Sequence, residues 1–97
     1  MKIFKTIASF AFATGVFLSS SVFADTVKIA FIDPLSGPFA TTGTNGLTSW
    51  KYAAKYFNKK LGTNFEIVAL DNKMSGKESI IQVEVAIDKG IRYIAQG

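Results

Sequence analysis

Three apolar runs, separated by two stretches of helical period, organise the chain from residue 27 onward. Val27-Lys28-Ile29-Ala30-Phe31-Ile32 is almost uninterruptedly apolar, the pattern of a strand covered on both faces of a parallel sheet. From about residue 43 to residue 61 the period changes. Leu47, Trp50, Ala54, Phe57 and Leu61 recur at spacings of 3, 4, 3 and 4, which defines one helix face, and Lys51, Lys55 and Lys59 lie off it. Thr41 or Thr42 is placed to cap the start. Lys59-Lys60-Leu61-Gly62 supplies a stop, because cations favour the negative helix end and glycine accepts the left-handed conformation. Phe65-Glu66-Ile67-Val68-Ala69-Leu70 is the second strand, closed by Asp71-Asn72. Ser75-Gly76-Lys77-Glu78 has the spacing of a capping box. The helix after it is expected to bury Ile80, Val83, Ala86 and Ile87 and to end at Lys89-Gly90, and residues 91–95 read as a third strand.

This alternation predicts an α/β fold, the β-α-β-α-β start of a parallel three-layer (αβα) sheet. With right-handed crossovers and strand order 2-1-3, the two helices cover opposite faces. A switch point then forms between strands 1 and 3, outside their carboxyl ends, where open α/β sheets bind ligands. The loop at that point is residues 33–43, which holds both prolines and two of the eight glycines of the chain. It is expected to form one wall of a small-molecule cleft, with the opposite wall starting after Gly97. One helix per face and a bare third-strand edge leave much apolar surface uncovered. Residues 25–97 are therefore expected to be roughly the first fifth to third of a larger protein, folding poorly and binding ligand weakly by themselves.

Ahead of the first strand stand Lys2 and Lys5, an apolar run over residues 7–18, then Ser19-Ser20-Ser21 and Val22-Phe23-Ala24. That order is a secretory leader, so residues 1–24 are expected to be a signal peptide cut between Ala24 and Asp25. The competing reading is an uncut membrane anchor. The apolar stretch over residues 7–23 is rich in Ser, Thr and Gly, and its length is at or below the roughly 17–25 residues needed to span a bilayer. Removing the leader changes the charge picture. The chain has 11 basic and 7 acidic residues, net +4; without Lys2 and Lys5 the balance is nine to seven, +2. The remaining lysines are scattered without an aromatic-interleaved stripe, which argues against nucleic acid as a partner. With no cysteine, a disulfide framework and a cysteine-attached lipid are excluded. With no histidine either, a zinc site would need carboxylates alone, a poor set for that metal. No cofactor or metal is expected.

Few residues offer chemistry. Asp33 and Asp71 end strands 1 and 2, where a phospho-acceptor receiver domain carries acids. That reading needs an acid cluster beside strand 1 and an acceptor aspartate after strand 3, and neither is present. Both acids read better as turn caps bonding nearby backbone amides. Ser36-Gly37 lacks a histidine to activate it, and Gly-x-Ser-x-Gly is absent. Residues 37–43 lack the Gly-Lys-Ser/Thr of a phosphate loop, although amides at the helix start near Gly43 favour an anion such as a carboxylate. Trp50, Phe57 and Phe65 read as core. Phe39, an apolar residue in the cleft loop, either packs the loop down or lines the ligand.

These residues resemble a known family. Val27-Lys28-Ile29-Ala30-Phe31-Ile32-Asp33-Pro34-Leu35-Ser36-Gly37-Pro38-Phe39-Ala40 is similar to the opening of periplasmic leucine/isoleucine/valine-binding proteins, the ligand receptors of bacterial ABC importers. The likeness continues through Phe65-Glu66-Ile67-Val68, Asp71-Asn72-Lys73 and Asp88-Lys89-Gly90-Ile91-Arg92-Tyr93-Ile94. It implies the N-terminal lobe of a type I periplasmic-binding protein, present here in part over residues 25–97. It also implies a periplasmic receptor without enzymatic activity that takes branched-chain or related amino acids, amides or carboxylates and hands them to ABC importer permease subunits, with no membrane attachment after signal cleavage. In the family an aromatic residue before the loop glycine often touches the ligand. Thr42 stands there, before Gly43, so Phe39, Thr42 and Gly43 are the candidate ligand-binding residues. Met74 occupies a position where some members carry a disulfide cysteine. Two other classes stay open on the residues alone: a fragment of a secreted α/β enzyme, whose catalytic set would lie downstream, and a signal-anchored interaction module.

Overall fold

The computed structural model describes residues 25–97; the leader expected over residues 1–24, with the Ala24 side of its cleavage point, lies outside the described residues. Strand β1 (Val27–Asp33) runs through the centre of the sheet, with β2 (Phe65–Asp71) on one side and β3 (Tyr93–Ala95) on the other, in the order β2-β1-β3. All pairings are parallel. Val27 stands opposite Phe65 and Asp33 opposite Asp71, while Ile29 and Phe31 pair with Tyr93 and Ala95. A short 3-10 turn, Gly37–Phe39, leads into helix α1 (Ala40–Leu61), and α2 (Gly76–Asp88) joins β2 to β3.

The period-two alternation of β1 sends its side chains to two separate cores. Ala30 and Ile32 pack with Ala86 and Ile91 against Val83, Val68 and Leu70, which places α2 on one face. Phe31 points to the other face, where its ring lies 6.5 Å from that of Trp50 and close beneath Gly46 of α1. The parallel sheet, its 2-1-3 order and the opposite placement of the helices are those read from the sequence.

Three details differ. First, α1 starts at Ala40, earlier than the hydrophobic period indicated, and Phe39 holds the N-cap position with no side-chain cap. Thr41 and Thr42 are thus inside the first turn and cap nothing; the 3-10 turn with Pro38 feeds the helix directly. Second, the expected buried faces are only partly buried. Leu61 is 63% exposed, and Trp50 and Phe57 also remain substantially exposed. A helix of 22 residues is about 33 Å long. Strands of seven residues reach about 23 Å, so the last turns of α1 overhang the sheet. On α2, Ile80 and Ile87 are exposed while Ala86 is buried and Ser79, Gln82 and Val83 are half-buried. The inward stripe passes through 79, 82, 83 and 86, and Ile80 and Ile87 sit one position round from it, about 100° away. Third, β3 is shorter than residues 91–95. Ile91 is buried ahead of the strand, and its amide donates to the carbonyl of Ala86 at 2.9 Å.

A glycine and an asparagine finish the carboxyl end of α1. Gly62 ends it at φ 67°, the left-handed cap that glycine accepts without a Cβ penalty. Asn58 binds the first residue of β2 twice, donating from Nδ2 to the Phe65 carbonyl at 2.9 Å and accepting from the Phe65 amide at 2.7 Å. Among the described residues no helix is long and apolar enough to cross a membrane.

Candidate functional site

Parallel strands bring all their carboxyl ends to one edge, and an open cavity of about 380 Å³ lies there, within the roughly 300–1,000 Å³ usual for small-molecule clefts. One wall is made by Asp33, Pro34, Phe39, Thr42 and Gly43. The other is made by Asn72, Met74, Ser75, Gly76 and Ser79, and Gly97 closes the side towards β3.

The first wall has little hydrogen bonding of its own. Ser36 precedes the 3-10 turn in an extended conformation and gives it no side-chain cap. What positions the loop is close approach. A Cβ on Gly43 would overlap the carbonyl oxygen of Pro34, so α1 and the end of β1 touch through bare backbone. The amide of Leu35 donates to Asp71 Oδ1 at 2.9 Å. Phe39 is half exposed at the rim, Thr42 is exposed and Gly43 is buried. The structure therefore brings the three candidate residues onto one wall.

The second wall is knit by side chains. Lys73 and Met74 both adopt positive φ, 53° and 58°, a conformation that costs roughly 1–2 kcal/mol for a residue with a Cβ. Polar side chains hold them there. The Lys73 amide donates to Asp71 Oδ1 at 2.8 Å and the Met74 amide to Asn72 Oδ1 at 3.0 Å. Asn72 is buried and donates from Nδ2 to Ser79 Oγ at 3.0 Å. Ser79 Oγ in turn donates to the Ser75 carbonyl at 3.0 Å, and Ser75 Oγ accepts from the Glu78 amide at 3.3 Å. Ser75 is thus the helix cap its spacing suggested. The reciprocal bond of a capping box does not form, because the Ser75 amide donates instead to the Asn72 carbonyl at 2.9 Å.

Asp71 belongs to both walls. Its carboxyl is held below the ordinary value of 3.8, first by the Ser36 hydroxyl, then by the Leu35 and Lys73 amides, with a smaller contribution from the Lys73 charge. Hydrogen bonds that stabilise the charged form have this effect. The turn-capping role read for Asp71 is the one it performs.

Sequence reasoning expected the opposite wall to start after Gly97, which does reach the cavity; residues 72–79 add a wall that it did not foresee. The signal was available. In a 2-1-3 order the loop after strand 2 emerges at the same sheet edge as the loop after strand 1. The hidden part is that α2 starts with its first turn at the cavity, so Ser75, Gly76 and Ser79 turn towards Thr42 and Gly43. The amino ends of both helices meet at one cavity, and their dipoles favour negative charge there.

A parallel α/β sheet with its cleft at the switch point defines a ligand-binding fold. The particular family follows from comparison with known proteins. The family model described as periplasmic binding protein matches residues 26–97, and the chain belongs to that family. Its β-α-β-α-β order is that of part of a type I periplasmic-binding lobe. A relative in Brucella abortus, "Leu/Ile/Val-binding protein homolog 6", is 32% identical over 96 residues, covering 94% of this chain and 24% of the relative. In Pseudomonas aeruginosa, the "Leucine-, isoleucine-, valine-, threonine-, and alanine-binding protein" is 30% identical over 87 residues, covering 87% of this chain and 23% of the relative. The chain spans about a quarter of the length of these curated relatives.

Proposed function

We propose that this chain supplies the N-terminal part of an extracytoplasmic amino-acid receptor that serves an ABC importer. Residues 1–24 act as the leader, cut between Ala24 and Asp25, and residues 25–97 form one side of the ligand cleft in the periplasm. The observation that carries the reading is the meeting of two helix amino ends at one cavity on the carboxyl edge of the sheet. Amides of the first turns of α1 and α2 suit the carboxylate of an amino acid, and Phe39 and Met74 offer apolar surface on opposite walls for its side chain. The names of the two relatives point to the branched-chain class. The part played by Phe39, Thr42 and Gly43 is direct ligand contact, and no catalytic step is assigned to any residue.

The experiment is amide chemical-shift mapping, in a chain extended to both lobes, while leucine, isoleucine, valine, threonine and alanine are titrated in turn. Shifts concentrated at Phe39, Thr42, Gly43, Ser75 and Gly76 are expected. Shifts scattered over the outer helix faces, or none for any amino acid, would remove the reading. In a chain extended to both lobes, Thr42→Trp is expected to change the order of preference across the same set, and an unchanged order would take Thr42 out of the site. Export is tested by N-terminal sequencing of the secreted protein: a start at Asp25 is expected, and a start at Met1 would favour an anchored module.

A further inference from the structure

We infer that the Asp71 carboxylate is the positioning residue of the cleft, tying the loops of its two walls together beyond the end of the strand ladder. Oδ1 accepts from the Leu35 amide of the first wall at 2.9 Å and from the Lys73 amide of the second at 2.8 Å. The two donors lie on different loops, 38 residues apart in sequence; the β1–β2 ladder ends at Asp33 and Asp71, with the Asn72 amide donating to the Asp33 carbonyl at 3.2 Å, and the carboxylate carries the tie between the walls two residues beyond it.

The Pro34–Leu35 peptide carries this constraint onward. Its N–H is bound to Asp71, and its carbonyl oxygen abuts Gly43, where even a methyl group would collide. Both ends of one rigid peptide plane are therefore held, one by the end of β2 and the other by the first turn of α1. Moving Asp71 moves the plane, and moving the plane moves Gly43 and its neighbour Thr42. On the other side the same oxygen holds Lys73 in its left-handed conformation and so directs Met74 towards the cavity. A backbone held in such a conformation at a binding loop needs surroundings that over-determine it, and Asp71 with Asn72 supplies them. This frame holds for any ligand.

The clamp is charge-assisted and titrates with Asp71. The charged groups around it are Asp33, its register partner on β1, Lys73 two residues on, and Lys77 and Glu78 in the first turn of α2. The 34–39 loop and the first turns of α1 bring no charge. Because the folded carboxyl lies below its ordinary value, the clamp is complete above that value and is released as pH falls through the lowered one.

The test is a pH titration of the isotopically labelled full chain, followed at the Leu35 and Lys73 amide protons, with sucrose added to favour the folded state. Both protons are expected to move together with one midpoint below 3.8, Thr42 and Gly43 following at the same midpoint while Ile32 stays still. In Asp71→Asn this shared transition is expected to vanish, and hydrogen exchange at Leu35 to accelerate about tenfold or more with Ile32 unchanged. Separate midpoints for Leu35 and Lys73 in the unsubstituted chain, or a shared transition that survives in Asp71→Asn, would overturn the inference. The titration of the unsubstituted chain decides it even where the variant does not fold.

Discussion

The two walls of the cavity are built in opposite ways. The first, over residues 33–43, has two prolines and few polar side-chain contacts, and it is positioned by a backbone-to-backbone approach at Gly43 and a bond borrowed from Asp71. The second, over residues 71–79, is held by its own side chains: Asp71, Asn72, Ser75 and Ser79 each bond a neighbouring backbone or side-chain group. A wall set by close packing tolerates almost no added volume, whereas a wall set by hydrogen bonds tolerates volume but not the loss of an acceptor. The first wall thus leaves Phe39 and Thr42 outside the contacts that position it. The second uses its residues to keep a strained turn in place.

Substitutions can break that contrast, here measured as shifts in the urea midpoint of a chain extended to both lobes. Gly43→Ala is expected to have the largest effect, a loss of about 3 kcal/mol, because the Pro34 carbonyl it strikes is backbone that cannot rotate away. Next comes Asn72→Ala, which removes the acceptor of the Met74 amide and the partner of Ser79 from a buried position, at about 2 kcal/mol. Ser75→Ala deletes the cap of α2 and is expected to cost about 1 kcal/mol. Smallest, and opposite in sign, is Lys73→Gly. It relieves a positive φ while keeping the amide that Asp71 binds, for a gain of a few tenths up to about 1 kcal/mol. If Gly43→Ala costs no more than Ser75→Ala, the first wall is not held by close approach. If Lys73→Gly destabilises, the left-handed turn is not strained.

Most of the fold was legible from the chain. The near-continuous apolar run of β1, the 3.6-residue period of α1, the Ser75 cap and the Gly62 stop are local signals, and each led to an element in its expected place. Given a 2-1-3 order, the placement of the helices on opposite faces followed from the handedness of crossovers, a rule that needs no side-chain detail. Burial was less legible. Helical period shows which residues share a face but not how far the facing sheet extends, so Leu61 was assigned to a core that ends before it, and Ile80 and Ile87 to a stripe that passes beside them.

The residues of the candidate site divide along the same line. Phe39, Thr42 and Gly43 stand out in sequence because a strand breaks into a Pro- and Gly-rich loop and then a helix, and that order alone marks a sheet-edge loop. Asn72, Met74, Ser75 and Ser79 have ordinary local roles in a turn and a cap; only the parallel pairing of β2 against β1 carries them to the facing wall. The sequence by itself determined the elements, their succession along the chain and the Pro- and Gly-rich loop after β1, because these depend on interactions a few residues in range. The tertiary structure alone decided that Asp71 joins two loops and that Gly43 must stay bare, because both depend on which backbone segments meet across the sheet edge.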